Sequence, residues 1–173
     1  KGYKQNTHEG AVHVPLIMQW PARITSGSSG ASNLRDQFHH VNDIVPTIYE
    51  ALGVSAPATY RGYDQMPITG TSMLSTFDAP DAPTAKGVQY FEMMGSRAMY
   101  HDGWKVTTDY VSSLFGERNF IEGSHDFDED HWSLFDRTAD FSEPRDLSAT
   151  TPEKARDPHT PGWADRRRNT RHP

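Results

Sequence analysis

The sequence has no cysteine among its 173 residues. This absence excludes disulfides, thiolate nucleophiles and cysteine-ligated metals within the chain, and it is compatible with either cytoplasm or periplasm. Long apolar runs are also missing: no stretch approaches the ~20 residues of a membrane-spanning helix, and the first residues lack the sections of a secretory signal. We therefore expect no membrane span, and the compartment stays unknown.

Positive charge is in short supply, because 17 lysines and arginines face 23 aspartates and glutamates and the net charge is −6. Binding to a nucleic-acid backbone needs basic residues clustered along one face. The basic run at residues 166–168 lies in a proline- and arginine-rich segment, 151–173, with few apolar residues. Such a segment cannot offset an ordering cost of about 1 to 2 kcal/mol per residue. We therefore predict no nucleic-acid partner and a disordered tail.

Apolar residues show both strand-like and helical patterns in the first third of the chain. The run VPLIM at residues 14–18 predicts a strand buried on both faces. Residues 25–32 are small and polar and predict a loop. Residues 41–52 carry apolar side chains at helical spacing, with Asn42 or Asp43 as the N-terminal cap and Gly53 as the C-terminal one. An α/β arrangement follows.

The second half of the chain has the signals of a small antiparallel sheet. Residues 54–86 are rich in proline, glycine, alanine and threonine, and they predict a long surface loop without regular elements. Residues 88–94, 97–110 and 132–136 alternate aromatic and aliphatic side chains and predict strands. The sequence His101-Asp102-Gly103 divides the middle segment and predicts a hairpin turn.

Candidate chemistry lies in the segment KQNTHEG at residues 4–10, directly before the predicted buried strand. A lysine there can place a point charge against an oxyanion. The spacing alone is also satisfied by an exposed loop lysine with no function. His8, beside Lys4, and His101, in the predicted turn, are candidates for a substrate pocket.

Two other groups of residues are candidates for metal sites, and neither fits one. The acidic segment at residues 124–132 begins like a calcium loop, but His131 stands in place of the required glycine and Arg137 in place of the final glutamate. His39 and His40 are adjacent, so they do not face one point on a helix, and we predict packing or capping roles for them. We predict no metal site in this chain.

A longer pattern runs through the first 21 residues: Lys-x-x-Thr-x-Glu-Gly-x-x-x-Val-Pro-x-Ile-x-x-Trp-Pro. It resembles the segment that follows the metal site in sulfatases of the alkaline phosphatase superfamily. Residues 37–53, QFHHVNDIVPTIYEALG, are similar to the last large-domain helix of that family. Residues 76–105 resemble the entry into the C-terminal subdomain of large bacterial arylsulfatases. Residues 132–154 resemble the closing strand and turn of the family.

The resemblance implies a fragment of an alkaline-phosphatase-like sulfatase fold. Residues 1–55 would be the end of the large catalytic α/β domain with its sheet and helix, and residues 56–86 a loop excursion. Residues 87–150 would form the small antiparallel-sheet subdomain, and residues 151–173 the tail. The partners implied are a small-molecule sulfate ester and the N-terminal remainder of the enzyme.

The resemblance also implies a mechanism. A formylglycine nucleophile and Ca²⁺ would act on a sulfate monoester, and both would lie upstream, with the Ca²⁺ ligands outside this chain. Lys4 matches the family lysine that contacts the sulfate and the leaving group, and Thr7, Glu9 and Gly10 match the residues that support its loop. The isolated chain is therefore expected to be inactive.

The sequence departs from the family at two positions. Ala11 replaces a second glycine, which would impose strain of about 1 kcal/mol or more if that position has positive φ. His13 stands where arginine is common. Two alternatives stay open: a phosphonate or phosphodiester hydrolase of the same superfamily, and a non-catalytic binding module.

Overall fold

The computed structural model describes residues 1–24, 34–110 and 123–155. The predicted loop at residues 25–32, the tail beyond residue 155 and its basic run lie outside the described residues. The start of the predicted disordered tail is helical over Pro152–Ala155, so the prediction is wrong there. The helices are α1 (Glu9–Val12), a 3₁₀ turn (Val41–Asp43), α2 (Ile44–Leu52), α3 (Ser75–Asp78) and α4 (Pro152–Ala155). The strands are β1 (Thr59–Tyr60), β2 (Tyr63–Asp64), β3 (Val88–Met93), β4 (Ser96–His101), β5 (Trp104–Thr108) and β6 (Trp132–Asp136).

The chain divides into two compact units. The first, here called the sheet unit, combines residues 1–15 with the described chain from Val88 onward, and the second, the helix unit, is Leu16–Gly87. The division falls between Gly87 and Val88, one residue after the predicted start of the subdomain at residue 87. Residues 1–15, however, belong with the sheet and not with residues 16–55. The assignment of residues 1–55 to a larger catalytic domain stays a prediction.

The sheet unit is built on four antiparallel strands in the order β3-β4-β5-β6. The predicted small antiparallel sheet is therefore confirmed. Its apolar core is formed by Met99, Val106 and Leu134, one from each of the last three strands. Alternation along the strands brings these side chains to one face, where half-buried aromatic residues cover them.

The turn between β4 and β5 follows the predicted hairpin signal. Asp102 has φ 44° and Gly103 has φ 87°, and positive φ at both central residues matches the twist of the flanking strands. A methyl group on Gly103 would also lie 2.5 Å from Cγ2 of Thr138. Glycine is thus required there for conformation and for space.

The helix unit confirms the predicted helix and its C-terminal cap. Asp43 stands at the N-cap position of α2 but its side chain makes no cap hydrogen bond there, and the N-cap of the preceding 3₁₀ turn is His40. The carboxylate of Asp43 accepts a hydrogen bond from the backbone N–H of His40 at 2.7 Å, in a reciprocal capping box. It also accepts from the buried ammonium of Lys86 at 2.8 Å. Gly53 ends α2 with φ 65°. Asp43 therefore both completes the capping box of the 3₁₀ turn and pairs with a buried cation.

The predicted buried strand at residues 14–18 is wrong. The segment has no regular structure, and Ile17 is 92% exposed. A strand needs a neighbour for its backbone hydrogen bonds, and no described strand pairs with this segment. The apolar side of α2 is exposed in the same way, because Val45, Ile48 and Leu52 are all about half exposed or more.

The predicted loop at residues 54–86 is wrong in part. It contains the short hairpin β1-β2 and the single turn α3. Arg61 and Gly62 form the hairpin turn with positive φ. These elements are too short for a periodic apolar pattern, so composition alone indicated a loop. Among the described helices, none is long and apolar enough to cross a membrane.

We expect Gly103→Ala to lower the free energy of unfolding of the sheet unit by about 1 to 3 kcal/mol, because it adds backbone strain and a close contact. Urea denaturation of Gly103→Ala and of the double variant Gly103→Ala/Thr138→Ser separates the cost of backbone strain from the cost of the close contact. Serine removes Cγ2 and keeps the hydroxyl that donates to Asp136 at 2.6 Å. Equal stability of the two variants would show that Thr138 contributes no steric term.

Candidate functional site

The loop that carries Lys4 has an exposed tip and a buried base. Lys4 is exposed, and no side chain in residues 1–24, 34–110 or 123–155 pairs with its ammonium. Gln5, the next residue, has φ 72°. Asn6, Thr7, His8 and Glu9 then turn inward, with exposed fractions of 6% or less. Lys4 thus lies at the exposed end of a loop, and the residues that follow it are buried in the sheet unit.

The ammonium of Lys105 lies at the centre of the buried part of this loop. Lys105 is 1% exposed and reaches Oε1 of Glu9 and Oε1 of Glu143, each at 2.8 Å. The second oxygen of Glu9 pairs with Arg137 at 2.9 Å and contacts the ring of His13 at 3.2 Å. Each buried carboxylate therefore has a cation within hydrogen-bond distance.

The ring of His8 lies between two further carboxylate oxygens. Its Nδ1 is 2.7 Å from Oε2 of Glu143, and its Nε2 is 2.7 Å from Oδ1 of Asp109. A neutral imidazole has only one N–H, whereas the imidazolium donates from both nitrogens. The two contacts therefore fit the charged form. We call His8, Glu9, Lys105, Asp109 and Glu143 the buried charge cluster.

The acid–base properties of the cluster follow from this geometry. Burial opposes the charged form of His8, but the hydrogen bonds and charges of Asp109 and Glu143 outweigh it and raise the pKa of His8. Burial likewise opposes ionisation of Glu143, but the His8 hydrogen bond and the Lys105 charge hold its pKa at about 2. The pKa of Asp109 is lowered against burial by His8 and by Lys1. All three shifts favour the charged forms of His8, Asp109 and Glu143.

The other predicted support residues also hold the loop. The hydroxyl oxygens of Thr7 and Thr107 are 2.7 Å apart. The N–H of Gly10 donates to Lys1 O at 3.0 Å, and a methyl group on Gly10 would lie 2.0 Å from Gly2 O. Glycine is therefore required at position 10 because two backbone segments cross there.

The two departures from the family pattern are accommodated. Ala11 lies within α1 and does not have positive φ, so the strain considered for that position does not arise. His13 is half exposed, and its ring reaches Glu9 across one helical turn. A histidine thus still contacts the carboxylate at the base of the loop.

The predicted pocket histidines lie in different settings. His8 is buried, and both of its ring nitrogens are occupied by the charge cluster, an arrangement that favours support of the loop over contact with substrate. His101 ends β4, and it lines a cavity of about 230 Å³ together with Trp104, Lys105 and Lys154. The substrate-pocket roles of both histidines stay predictions.

Sequence reasoning missed four members of this arrangement: Lys105, Asp109, Arg137 and Glu143. Lys105 and Glu143 are 96 and 134 residues from the Glu9 atoms that they contact. No spacing rule connects such positions. The one available signal is Lys105 itself, a lysine in a strand between Trp104 and Val106, where a buried charge would need a partner.

We expect Lys105→Met to lower the free energy of unfolding by about 3 to 5 kcal/mol, because it removes the buried cation that contacts Oε1 of both Glu9 and Glu143. Urea denaturation is the measurement. The control is Lys154→Met, which removes an exposed ammonium 4.2 Å from the centre of the Trp104 ring and should cost about 1 kcal/mol or less. A loss no larger than the control's would show that water solvates these carboxylates.

Comparison with known proteins shows that the sequence is similar to part of a sulfatase. No family model matches the chain. It is 26% identical over 161 residues to arylsulfatase K of Xenopus laevis, a match that spans 90% of this chain and 26% of that protein. The chain thus has about a quarter of the length of this relative.

Two solved structures are also similar. One comes from work on metabolism of multiple glycosaminoglycans by Bacteroides thetaiotaomicron (BT33336S-sulf), with TM-score 0.46, 20% identity and coverage of 66% of this chain and 22% of that one. The other is BT4656 in complex with its substrate D-glucosamine-2-N,6-O-disulfate, with TM-score 0.41, 17% identity and coverage of 66% and 21%. Over most of its length this chain is similar in sequence to part of an arylsulfatase, and the predicted resemblance to sulfatases is confirmed.

Proposed function

We propose that this chain is the C-terminal part of an arylsulfatase that hydrolyses sulfate monoesters. The observation that carries the proposal is the sequence match to arylsulfatase K along 90% of the chain. Because the match spans 26% of that protein, the proposal places most of the enzyme outside this chain. The formylglycine nucleophile and the Ca²⁺ site would belong to that remainder.

The described residues do not fit a calcium site of their own. Among them, no group of three or more histidine, aspartate or glutamate side chains is arranged to hold a metal ion. Glu9 and Glu143 already pair with Lys105, and Asp109 pairs with Lys1. The proposal therefore assigns no metal-binding role to the described residues.

Lys4 is the lysine best suited to contact a sulfate ester. The chain's other lysines already have partners: Lys1 pairs with Asp109, Lys86 with Asp43, Lys105 with two glutamates, and Lys154 with the Trp104 ring. The ammonium of Lys4 has no partner among the described residues. It is available to bind an anion supplied by substrate.

The chemistry needs a charge at that point. As the sulfur–oxygen bond of a sulfate monoester breaks, negative charge grows on the leaving oxygen, and the nonbridging oxygens stay charged. A fixed ammonium that donates to these oxygens stabilises the transition state, because it does not have to reorganise during the reaction. The loop that carries Lys4 is held by the contacts of the buried residues Thr7 and Glu9. It is also held by the close approach of two backbone segments at Gly10.

We expect Lys4→Ala in the full-length enzyme to lower kcat/KM for an aryl sulfate on the order of 10²- to 10³-fold, as for loss of one preorganised donor. Steady-state kinetics with 4-nitrophenyl sulfate measures the effect, and Lys4→Arg should recover part of it by restoring the charge. Arg145→Ala removes another exposed cation of the same unit and should leave the rate unchanged. Equal rates for Lys4→Ala and wild type would contradict the role of Lys4.

The isolated chain of residues 1–173 should hydrolyse no sulfate ester and bind none at millimolar concentration, because one lysine cannot hold a sulfate against water. Isothermal titration with 4-nitrophenyl sulfate tests the binding. Binding by the isolated chain would instead support a non-catalytic binding module. Faster turnover by the full-length enzyme of a phosphonate monoester or phosphodiester than of the sulfate would favour the other hydrolase class.

A further inference from the structure

We propose that His8 and Glu143 are positioning residues for Lys4, and that the proton shared between them controls how the Lys4 loop is presented to substrate. The inference rests on the proposed function of Lys4. It extends that function by assigning a control element, located in the buried charge cluster, that does not itself touch substrate.

Few residues separate the proposed catalytic lysine from the cluster. Between Lys4 and His8, Gln5 has positive φ, and the side-chain oxygen of Asn6 accepts from the N–H of His8 at 2.9 Å. Asn6 is 6% exposed and Thr7 is 1% exposed. A segment this short and this buried has little slack, so a shift of His8 is transmitted to the position of Lys4.

The charges that face His8 come from several elements. Glu143, after β6, and Asp109, after β5, each contact one ring nitrogen. Lys105 on β5 pairs with the other oxygen of Glu143, and Lys1 pairs with the other oxygen of Asp109 at 3.0 Å. Glu9, another member of the cluster, pairs with the guanidinium of Arg137 and contacts the ring of His13.

Loss of the His8 proton changes this balance. A neutral ring would present a lone pair to one of the two carboxylates at a separation of 2.7 Å, which is repulsive. The ring would then move, or one carboxylate would turn away. Phe135 packs edge-on against the ring with centroids 5.9 Å apart, so a movement on that side is hindered. A movement of the ring to the other side would be carried to the backbone of the loop, because His8 is part of that loop.

The sign of the pH effect follows from the direction of the shift. The folded structure raises the pKa of His8 above its ordinary value of 6.5. The stabilisation by the imidazolium is therefore complete below 6.5 and is lost as the pH rises through the raised pKa. We expect kcat of the full-length enzyme to fall as the pH rises through this range, which gives its pH profile an alkaline limb.

The test is a double-mutant cycle in the full-length enzyme with Lys4→Ala and Glu143→Gln, followed with 4-nitrophenyl sulfate. Glutamine keeps the size of Glu143 and removes its charge. A loop displaced by about 1 Å can cost on the order of 10²-fold, so Glu143→Gln should lower kcat about 10- to 100-fold in the wild-type background. It should have almost no effect when Lys4 is already alanine. The alkaline limb should also move to lower pH, because one partner of the imidazolium is no longer charged.

Asp146→Asn is the matched control. It removes another carboxylate from the same segment, one that accepts from the N–H groups of Leu134 and Ser148 at 3.0 and 2.8 Å and is not part of the charge cluster. It should leave the position of the alkaline limb unchanged. If Glu143→Gln does not fold by circular dichroism, Asp109→Asn replaces it, since the Asp109 side chain is 23% exposed and tolerates the change better.

The outcomes separate the two proposals. If Lys4→Ala leaves the rate unchanged, the function assigned to Lys4 fails, whatever Glu143→Gln does. If Lys4→Ala lowers the rate but Glu143→Gln lowers it equally in both backgrounds, the positioning role is overturned and the function of Lys4 stands. An alkaline limb that stays in place in Glu143→Gln also overturns it.

Discussion

A single ammonium, that of Lys105, lies between the buried carboxylates of Glu9 and Glu143, and the sheet unit depends on this contact. Without the cation, Oε1 of each carboxylate would be buried without its partner, and only the second oxygens would keep theirs, Arg137 for Glu9 and His8 for Glu143. The three groups come from the N-terminal segment, from β5 and from the segment after β6. They are satisfied together only when these parts of the chain meet in one arrangement.

That constraint connects stability to the proposed chemistry. A buried ion pair is weak evidence for stability, since apolar residues of similar volume often replace it at no loss, but it does penalise incorrect arrangements. Here the penalised alternatives are other positions of the segment that carries Thr7, His8 and Glu9. The exposed tip at Lys4 is thereby held at a defined place, which a group that stabilises a transition state requires.

Local signals predicted much of the fold. The helix at residues 44–52 and the turn at Asp102 and Gly103 were predicted because capping, helical spacing and positive φ are decided within a few neighbouring residues. The strand at residues 14–18 was predicted wrongly because a strand exists only with a partner, and its own apolar letters do not supply one. The hairpin β1-β2 was missed because two-residue strands carry no period.

The candidate site divides in the same way. The sequence by itself predicted Lys4 as the site lysine and Thr7, Glu9 and Gly10 as its supports, because they lie in one continuous pattern that resembles sulfatases. It also determined that no cysteine takes part. Only the tertiary structure decided that Lys105, Asp109 and Glu143 surround these supports and that His8 is held between two carboxylates. The physical reason is that charge pairing acts through space, over contacts separated by 96 to 135 residues, where the chain between them imposes no local pattern.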